Sequence, residues 1–381
     1  MSNFGRRFAV CFLLLVALTG ALADFLANDR PIVARRAGRT EFPVLFGYGV
    51  PDWRSAEVSW ALWPPVRYSA GGTDLINGNY RPPLAEPRGR DRPRHWLGTD
   101  RLGRDTLAGL IHGCRVAVVI GLGSLLVALL IGGPLGAVAG YFGNDGLRWP
   151  RYRWWGGVVG APLGVMYYAA ALGPYLVDSG SGIRALAGVL ATVLGWGLIS
   201  GGLYSLSLLF PGLKKPVSLP LDRLVMSLVE GLSSVPGLVV LIALLSFFSR
   251  PSLAVIVLVI GGFGWVSVAR FLRAELLRIR ELPYVEAARV SGVGEWRILL
   301  RHALPNALGP LFVVGSFAVG GAVLTESALS FLGIGVPADL VSWGSILRQS
   351  REQPAAWWLA VFPGLLLTGV VLGLNYLAEG E

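Results

Sequence analysis

The chain has 381 residues, of which 54% are hydrophobic and only 15% are charged. Soluble domains carry about 25% charged residues, so this composition excludes a soluble globular protein as well as a disordered chain. Two cysteines cannot build a disulfide framework. The net charge of +10 does not indicate nucleic-acid binding, because the basic residues lie beside long apolar runs rather than on a soluble domain.

Apolar runs of about 20 residues, the length that a helix needs to cross a bilayer, predict an all-α integral membrane protein with a polytopic helical bundle. We predict eight spans, at 8–24, 116–139, 155–177, 185–210, 224–248, 252–269, 306–325 and 356–378. The first run follows Arg6 and Arg7 and contains a stretch that resembles a signal-peptidase site at 21–23. Because the apolar run continues past that site, we expect residues 1–24 to form an uncleaved anchor.

Lysine and arginine in the short loops predict the orientation of the spans. The loops after the second, fourth and sixth spans are rich in these residues and the alternate loops are poorer, so the former loops and both termini are predicted to be cytoplasmic. The proline-rich segment 25–104 then lies on the outer side, as a cap on the membrane part or as a docking surface for another protein. Short edge strands are expected at 42–46 and 60–63.

The loop after the sixth span, residues 270–305, is the most informative stretch. Pro283 suits the first turn of a helix over 283–290, and Gly292 suits its left-handed end. A second helix is expected over 295–303, ended or kinked by Pro305 before the next span. Its predicted apolar face consists of Trp296, Leu299, Leu300 and Ala303. Such a basic elbow is suited to transmit movement from a soluble partner to the membrane helices. An ordinary interfacial loop is the alternative.

Polar groups within the spans are candidates for a transport pathway, because ionisable residues at membrane depth usually face a cavity or a partner. Glu230, Ser233 and Ser234 are predicted to share one face of the fifth span, and Pro236 to loosen that helix. Glu230 faces a cavity, pairs with another subunit or lies at the cytoplasmic interface. Glu326, at the outer end of the seventh span, is a candidate gate or subunit-interface residue, with a structural helix-end carboxylate as the alternative.

The sequence contains no phosphate-binding G-x-x-x-x-G-K-[ST] loop, no metal-binding histidine pattern and no serine-nucleophile elbow. We therefore expect a non-catalytic chain without a cofactor of its own. Energy for transport has to come from a separate ATPase or from an ion gradient.

Three groups of motifs resemble one known family. Glu286-Ala287-Ala288 with Gly292 and Leu304-Pro305 resembles the EAA loop of ABC-importer membrane subunits, and 301–306 resembles the dipeptide/oligopeptide permease group. The segments 95–115 and 324–344 resemble the family's sequences before its second helix and after its fifth. The stretch 25–44 is similar to a long-loop subgroup that imports oligopeptides and peptide-like antibiotics. These matches keep the same order along most of the chain.

The resemblance implies the fold of a type I ABC importer permease, with six core helices and an inserted two-helix hairpin. The corresponding regions are the anchor 1–24, the cap 25–104, the second core helix region 105–146, the hairpin 147–218, and the core permease domain 219–381. The implied partners are a second permease subunit, two ATPase subunits that bind ATP and magnesium, an extracytoplasmic solute-binding protein and membrane lipid.

The same resemblance implies that residues 270–305 couple the chain to the ATPases. The coupling residues are Tyr284, Glu286, Ala287, Ala288, Gly292, Trp296, Arg301, His302, Leu304 and Pro305. Glu286 is expected to cap or salt-bridge the elbow. An ion-gradient-driven secondary transporter is the main alternative, although it predicts inverted repeats and the sequence has no clear repeat. A membrane-embedded enzyme and a non-transporting scaffold are weaker alternatives.

Overall fold

The computed structural model describes residues 3–36, 38–46, 53, 58–89, 92–168, 170, 181–248, 251–337 and 340–378. The helices, in chain order, are α1 (Asn3–Ala21), α2 (Ala23–Leu26), α3 (Pro43–Phe46), α4 (Thr106–Phe142), α5 (Arg151–Trp155), α6 (Ala161–Tyr167), α7 (Ser181–Leu206), α8 (Leu221–Ser233), α9 (Gly237–Ser246), α10 (Leu253–Ile279), α11 (Pro283–Val290), α12 (Glu295–Ile298), α13 (Leu304–Leu332), α14 (Trp343–Ser350) and α15 (Trp358–Ala378). The strands are β1 (Val33–Arg36), β2 (Arg39–Glu41), β3 (Trp60–Leu62), β4 (Arg148–Pro150) and β5 (Pro216–Ser218). This mostly helical architecture confirms the predicted class.

Within the described residues, four continuous helices are long and apolar enough to cross a membrane: Thr106–Phe142, Leu253–Ile279, Glu295–Leu332 and Trp358–Ala378. The bent pair α8 and α9, whose axes meet at 81°, is a fifth candidate. The spans predicted at 116–139, 224–248, 252–269, 306–325 and 356–378 correspond to these five. Those predicted at 8–24, 155–177 and 185–210 are not among these candidates and stay predictions. Residues 169 and 171–177 of the third lie outside the described part.

The chain divides into two compact units, one formed by residues 1–137 with 228–381 and the other by residues 138–227. In the first unit, small residues allow α4 and α10 to approach closely. A Cβ added to Gly132 or Gly136 would meet the backbone at Trp265 and Ala269 of α10, and one added to Gly261 would meet the backbone of α4 at Ser124. Small residues at helix interfaces are typical of membrane bundles, because helices in a bilayer associate through close packing and not through the hydrophobic effect.

The cap of the first unit carries a three-stranded antiparallel sheet in the order β2-β1-β3. The strand expected at 60–63 is confirmed by β3, whereas the strand expected at 42–46 is wrong. Residues 43–46 form the short helix α3 because Pro43, which cannot donate to a sheet, stands at its first position.

A buried polar cluster ties the cap to the start of α4. His95 Nδ1 lies 2.8 Å from Asp105 Oδ2, and the Asp105 Oδ1 accepts a 2.7 Å hydrogen bond from the amide of Ala108 in the first turn of α4. Arg92 contacts Asp74 at 2.6 Å, and Asp74 Oδ2 is 3.5 Å from His95 Nε2. Burial raises the pKa of Asp74, but the hydrogen bond from Asn77 and the charge of Arg92 outweigh it and hold that pKa below its usual value.

The second unit, residues 138–227, contains the predicted hairpin 147–218. The antiparallel pair β4 and β5 closes its base, with Trp149 opposite Val217 and Pro150 opposite Pro216. The two arms pack through glycines spaced four residues apart. A Cβ on Gly156 would meet Ser200, one on Gly160 would meet Gly195, and one on Gly164 would meet Ala191. This small-residue seam is the packing expected of two apolar helices in contact.

Candidate functional site

The elbow after α10 has the two arms that the sequence predicts. The first arm is α11, which begins with Pro283 and ends at Val290. Gly292 adopts the left-handed conformation with φ of 78°, and the amide of Val293 donates to the carbonyl of Ala288 at 3.1 Å. This bond satisfies a carbonyl at the helix end while the chain reverses. The predicted helix 283–290 and its glycine end are therefore confirmed.

A salt bridge links the two arms across the turn. Arg289 Nε, at the end of α11, lies 2.7 Å from Glu295 Oε1, and Arg289 Nη2 lies 3.4 Å from Glu295 Oε2. The role predicted for Glu286, to cap or salt-bridge the elbow, stays a prediction, and its side chain is exposed. The observed salt bridge uses Glu295, because this residue stands at the first position of the second arm, directly across the turn.

The second arm buries a different face from the one predicted. Leu299 and Ala303 are buried as expected, and Ile298 joins them. Trp296 and Leu300 belong to the opposite side, with 51% and 58% of their surface exposed. Val290 at the end of α11 is 83% exposed. The elbow therefore presents apolar side chains on its outer surface, a feature that is typical of interaction sites.

Pro305 does not end the second arm. Residues 295–332 run as one helical segment, in which Leu299–Ala303 form a π-helical turn between α12 and α13. Pro305 has no amide hydrogen to donate to a carbonyl one turn earlier. The wider π-helical turn before it accommodates the missing hydrogen bond. Arg301 and His302 lie in this turn with exposed side chains, and Leu304 begins α13.

Tyr284 links the first arm to the base of α13. The side-chain amide of Asn306 donates to the Tyr284 hydroxyl at 3.2 Å and to the carbonyl of His302 at 2.6 Å. Ala287 is exposed and Ala288 is half-buried, so the small pair lies next to the outer surface of α11. The structure therefore gathers all ten predicted coupling residues on α11, its turn and the start of the long helix.

The second predicted group lies at the break between α8 and α9. Glu230, Ser233, Ser234 and Pro236 are all exposed in the isolated chain. Helix α8 ends at Ser233, so Ser234 lies beyond it and the predicted face is incomplete. The predicted loosening occurs here as the 81° bend. Arg270 of α10 donates to the Ser233 hydroxyl at 3.0 Å, which joins this break to the helix that leads into the elbow.

A membrane-depth groove of about 320 Å³ lies among α4, α9, α10 and α13. Its lining is mostly apolar, and its hydroxyl groups come from Ser124, Ser267 and Thr325. None of the five predicted pathway residues lines this groove. The sequence could not reveal it, because serine and threonine occur throughout the apolar helices and carry no positional signal by themselves.

Glu326 is enclosed rather than open to a passage. Only 2% of its surface is exposed. Its carboxylate accepts hydrogen bonds from Ser330 at 2.6 Å and from Ser327 at 3.4 Å, and the Ser342 hydroxyl also bonds to it. Ser342 caps the start of α14. The carboxylate thus joins α13 to α14, a setting that favours the structural alternative.

Two comparisons with known proteins agree with this architecture. Residues 217–379 match the family described as binding-protein-dependent transport system inner membrane component. The peptidoglycan transport system permease protein YejE of Agrobacterium fabrum is 27% identical, over 92% of this chain and 81% of its own length. The inner membrane ABC transporter permease protein YejE of Escherichia coli is 26% identical, over 95% and 87%. The glutathione transport system permease protein GsiD of Pectobacterium atrosepticum is 26% identical, over 75% and 70%.

Proposed function

We propose that this chain, which belongs to the peptide-type permeases of ABC transporters, forms part of the membrane pathway of an ATP-driven importer for peptides or peptide-like solutes. It is a multi-pass protein of the inner membrane. Relatives named for peptidoglycan and glutathione transport support the solute class, since both solutes contain peptide bonds. We assign the groove with its three hydroxyl side chains to the path of the polar peptide backbone.

The elbow carries the proposal for energy coupling. Trp296, Leu300 and Val290 offer an apolar contact to a soluble partner, and the second arm is continuous with α13. A push on the exposed face therefore moves a membrane helix rather than a loose loop. Since this chain has no phosphate-binding loop, we assign ATP and magnesium to two separate ATPase subunits, each holding one elbow of a permease pair.

In the proposed cycle, closure of the ATPase subunits on ATP shifts the elbow and turns α13 against α10. The helix break at 234–236 follows this movement, because Arg270 of α10 is hydrogen-bonded to Ser233. The groove among α4, α9, α10 and α13 then opens toward a solute-binding protein on the outer side. This orientation puts the elbow and both termini in the cytoplasm and the cap outside.

The test is a double substitution, Trp296→Ser with Leu300→Ser, in the assembled transporter. Each exposed apolar side chain covered by a partner contributes about 1.5–3 kcal/mol, so ATPase retention should fall at least about tenfold. Leu75→Ser with Ile76→Ser is the matched control, because these two cap side chains are also more than half exposed. The control should leave ATPase retention unchanged.

Uptake into membrane vesicles separates this proposal from secondary transport. We expect uptake to stop when ATP is depleted and to persist when an uncoupler removes the ion gradient. Uptake that survives ATP depletion and collapses with the uncoupler would contradict the proposal. So would full ATPase retention by the Trp296→Ser, Leu300→Ser variant.

A further inference from the structure

The base of the hairpin in residues 138–227 carries a cluster of cations that the coupling function does not use. We call it the basic rim, and it consists of Arg148, Arg151, Arg153, Lys214 and Lys215. All five side chains are exposed. They come from two segments about 60 residues apart in sequence, so the fold and not the local sequence brings them together.

The strand pair β4 and β5 builds this rim. Pro150 pairs with Pro216, and the amide of Arg151 donates to the carbonyl of Lys215 at 3.2 Å. Arg151 and Lys215 therefore sit side by side where the two arms leave the strands. Arg153 follows two residues later in the first arm, and Lys214 ends a short turn of helix after the second.

The rim has no internal counter-charge. Among the residues that the structure describes, every salt bridge involves other side chains, and none of the five cations pairs with a carboxylate. Arg153 and Lys214 instead lie 6.0 and 5.8 Å from the ring centroids of Tyr152 and Tyr204. Five neighbouring positive charges without an anion repel one another, so an external anion stabilises this arrangement.

Apolar and aromatic groups surround the rim. The Tyr152 and Tyr204 rings meet edge to face at 5.3 Å, and tyrosine is enriched at membrane–water boundaries. Leu208, Leu209 and Phe210, a few residues before the lysines, are all exposed. A soluble acidic partner would satisfy the cations but leave this apolar wedge in water. A phospholipid satisfies both, with its phosphate at the cations and its acyl chains at the wedge.

We propose that the basic rim binds the headgroups of anionic phospholipids and anchors the hairpin to one leaflet of the bilayer. Each lysine or arginine near an anionic membrane surface adds to its attraction for the lipid, so the five together give a clear preference for anionic over zwitterionic lipid. This inference does not depend on the transported solute or on the coupling elbow.

The experiment uses the full chain in lipid nanodiscs that contain phosphatidylglycerol and phosphatidylcholine, with bound lipid counted by native mass spectrometry. The neutralised variant carries Arg151→Gln, Arg153→Gln, Lys214→Gln and Lys215→Gln. A charge-retaining variant exchanges lysine and arginine at the same four positions. A matched control neutralises four exposed cations of the cap, namely Arg30→Gln, Arg35→Gln, Arg39→Gln and Arg94→Gln.

We expect the preference for phosphatidylglycerol to fall about tenfold or more in the neutralised variant. The charge-retaining and cap variants should keep it. An unchanged preference in the neutralised variant overturns the proposal, and so does an equal loss in the charge-retaining or the cap variant.

A salt titration of the unmodified chain tests the same idea without any variant. The Debye length, beyond which salt screens the interaction between exposed charges, is about 30 Å at 0.01 M salt and about 3 Å at 1 M. The phosphatidylglycerol preference should therefore decline steadily as salt rises. A preference that is independent of salt would show that the apolar wedge alone selects the lipid, and would contradict a role for the rim.

Discussion

The turn at Gly292 offers the sharpest test of the elbow as a lever. Its φ of 78° lies in the left-handed region, and a Cβ built at this position has no neighbour within 4 Å. A larger residue at position 292 therefore meets no steric obstacle, and the whole cost of substitution comes from the backbone. Gly292→Val is the perturbation of choice, because a β-branched side chain tolerates this conformation least.

The size of the effect follows from that geometry. A left-handed conformation costs an L-residue roughly 1–2 kcal/mol relative to glycine. Since 1.4 kcal/mol is a factor of 10, the bent elbow loses about fivefold to thirtyfold in population against straighter forms of the turn. The arms themselves stay folded, because Val285 and Ile298 are buried on either side of the turn. Coupling should fail while the bundle remains intact.

The assay measures ATP hydrolysis and solute uptake in the same reconstituted vesicles. We expect Gly292→Val to lower uptake per ATP about fivefold or more, without lowering the thermal unfolding temperature of the helix bundle. Gly292→Asn should fall between, because asparagine tolerates the left-handed region. Gly294→Ala is the matched control. This glycine also has no neighbour within 4 Å, but its φ of −63° suits any residue, so uptake should be normal.

Normal coupling in Gly292→Val would refute the reasoning, because the turn would then tolerate a straighter form. An equal loss in Gly294→Ala would refute it as well, since the defect would then come from added bulk at the elbow surface. Unfolding of the bundle by Gly292→Val would show that the elbow is a structural brace rather than a lever.

Three further substitutions test the supports around the site. Glu326→Ala should lower the free energy of unfolding by about 1–3 kcal/mol, because it leaves buried hydroxyl groups without an acceptor. Glu326→Gln should lower it less. A loss of uptake by Glu326→Gln at full thermal stability would instead indicate that Glu326 is a gate residue. The pKa of Asp74 in the folded protein is lowered from its ordinary value of 3.8, so the ionised side chain stabilises the cap fully above pH 3.8. This stabilisation is lost as the pH falls through the lower pKa of the folded state. Hydrogen exchange of the cap, corrected for intrinsic rates, should show the loss in the unmodified chain and not in Asp74→Asn. Gly113→Ala should lower the unfolding temperature because its methyl group would overlap the buried Trp343 ring, while Gly133→Ala, with no neighbour within 4 Å, should not.

Local signals made much of the elbow predictable. Pro283 and Gly292 act through their own backbones, so their positions fix where α11 begins and ends whatever surrounds them. The same holds for the proline at 236, which marks the break before α9. Hydrophobic length likewise identified the four long helices, because each contains at least the 20 or so apolar residues that a bilayer needs.

Features that depend on partners distant in sequence were not predictable. The four-residue spacing of Trp296 and Leu300 defines a helix face but not whether that face is buried, since Ile298 competes for the same interior. The setting of Glu326 depends on Ser342, which reaches it only when α14 folds back on α13. His95 and Asp105 are separated by ten residues, and only the folded cap shows that they meet.

The continuity of the helical segment 295–332 decides how a movement of the elbow spreads. At about 1.5 Å per residue, its 38 residues extend about 57 Å, well beyond the roughly 30 Å of a bilayer core. The exposed Trp296 at one end and the enclosed Glu326 near the other therefore belong to one continuous helical segment. The π turn at 299–303 is its least regular point, and π turns are common at functional sites. In the proposed cycle, a movement of the elbow reaches α14 through this turn. The helical segment therefore has to bend at the turn if its two ends are to move separately.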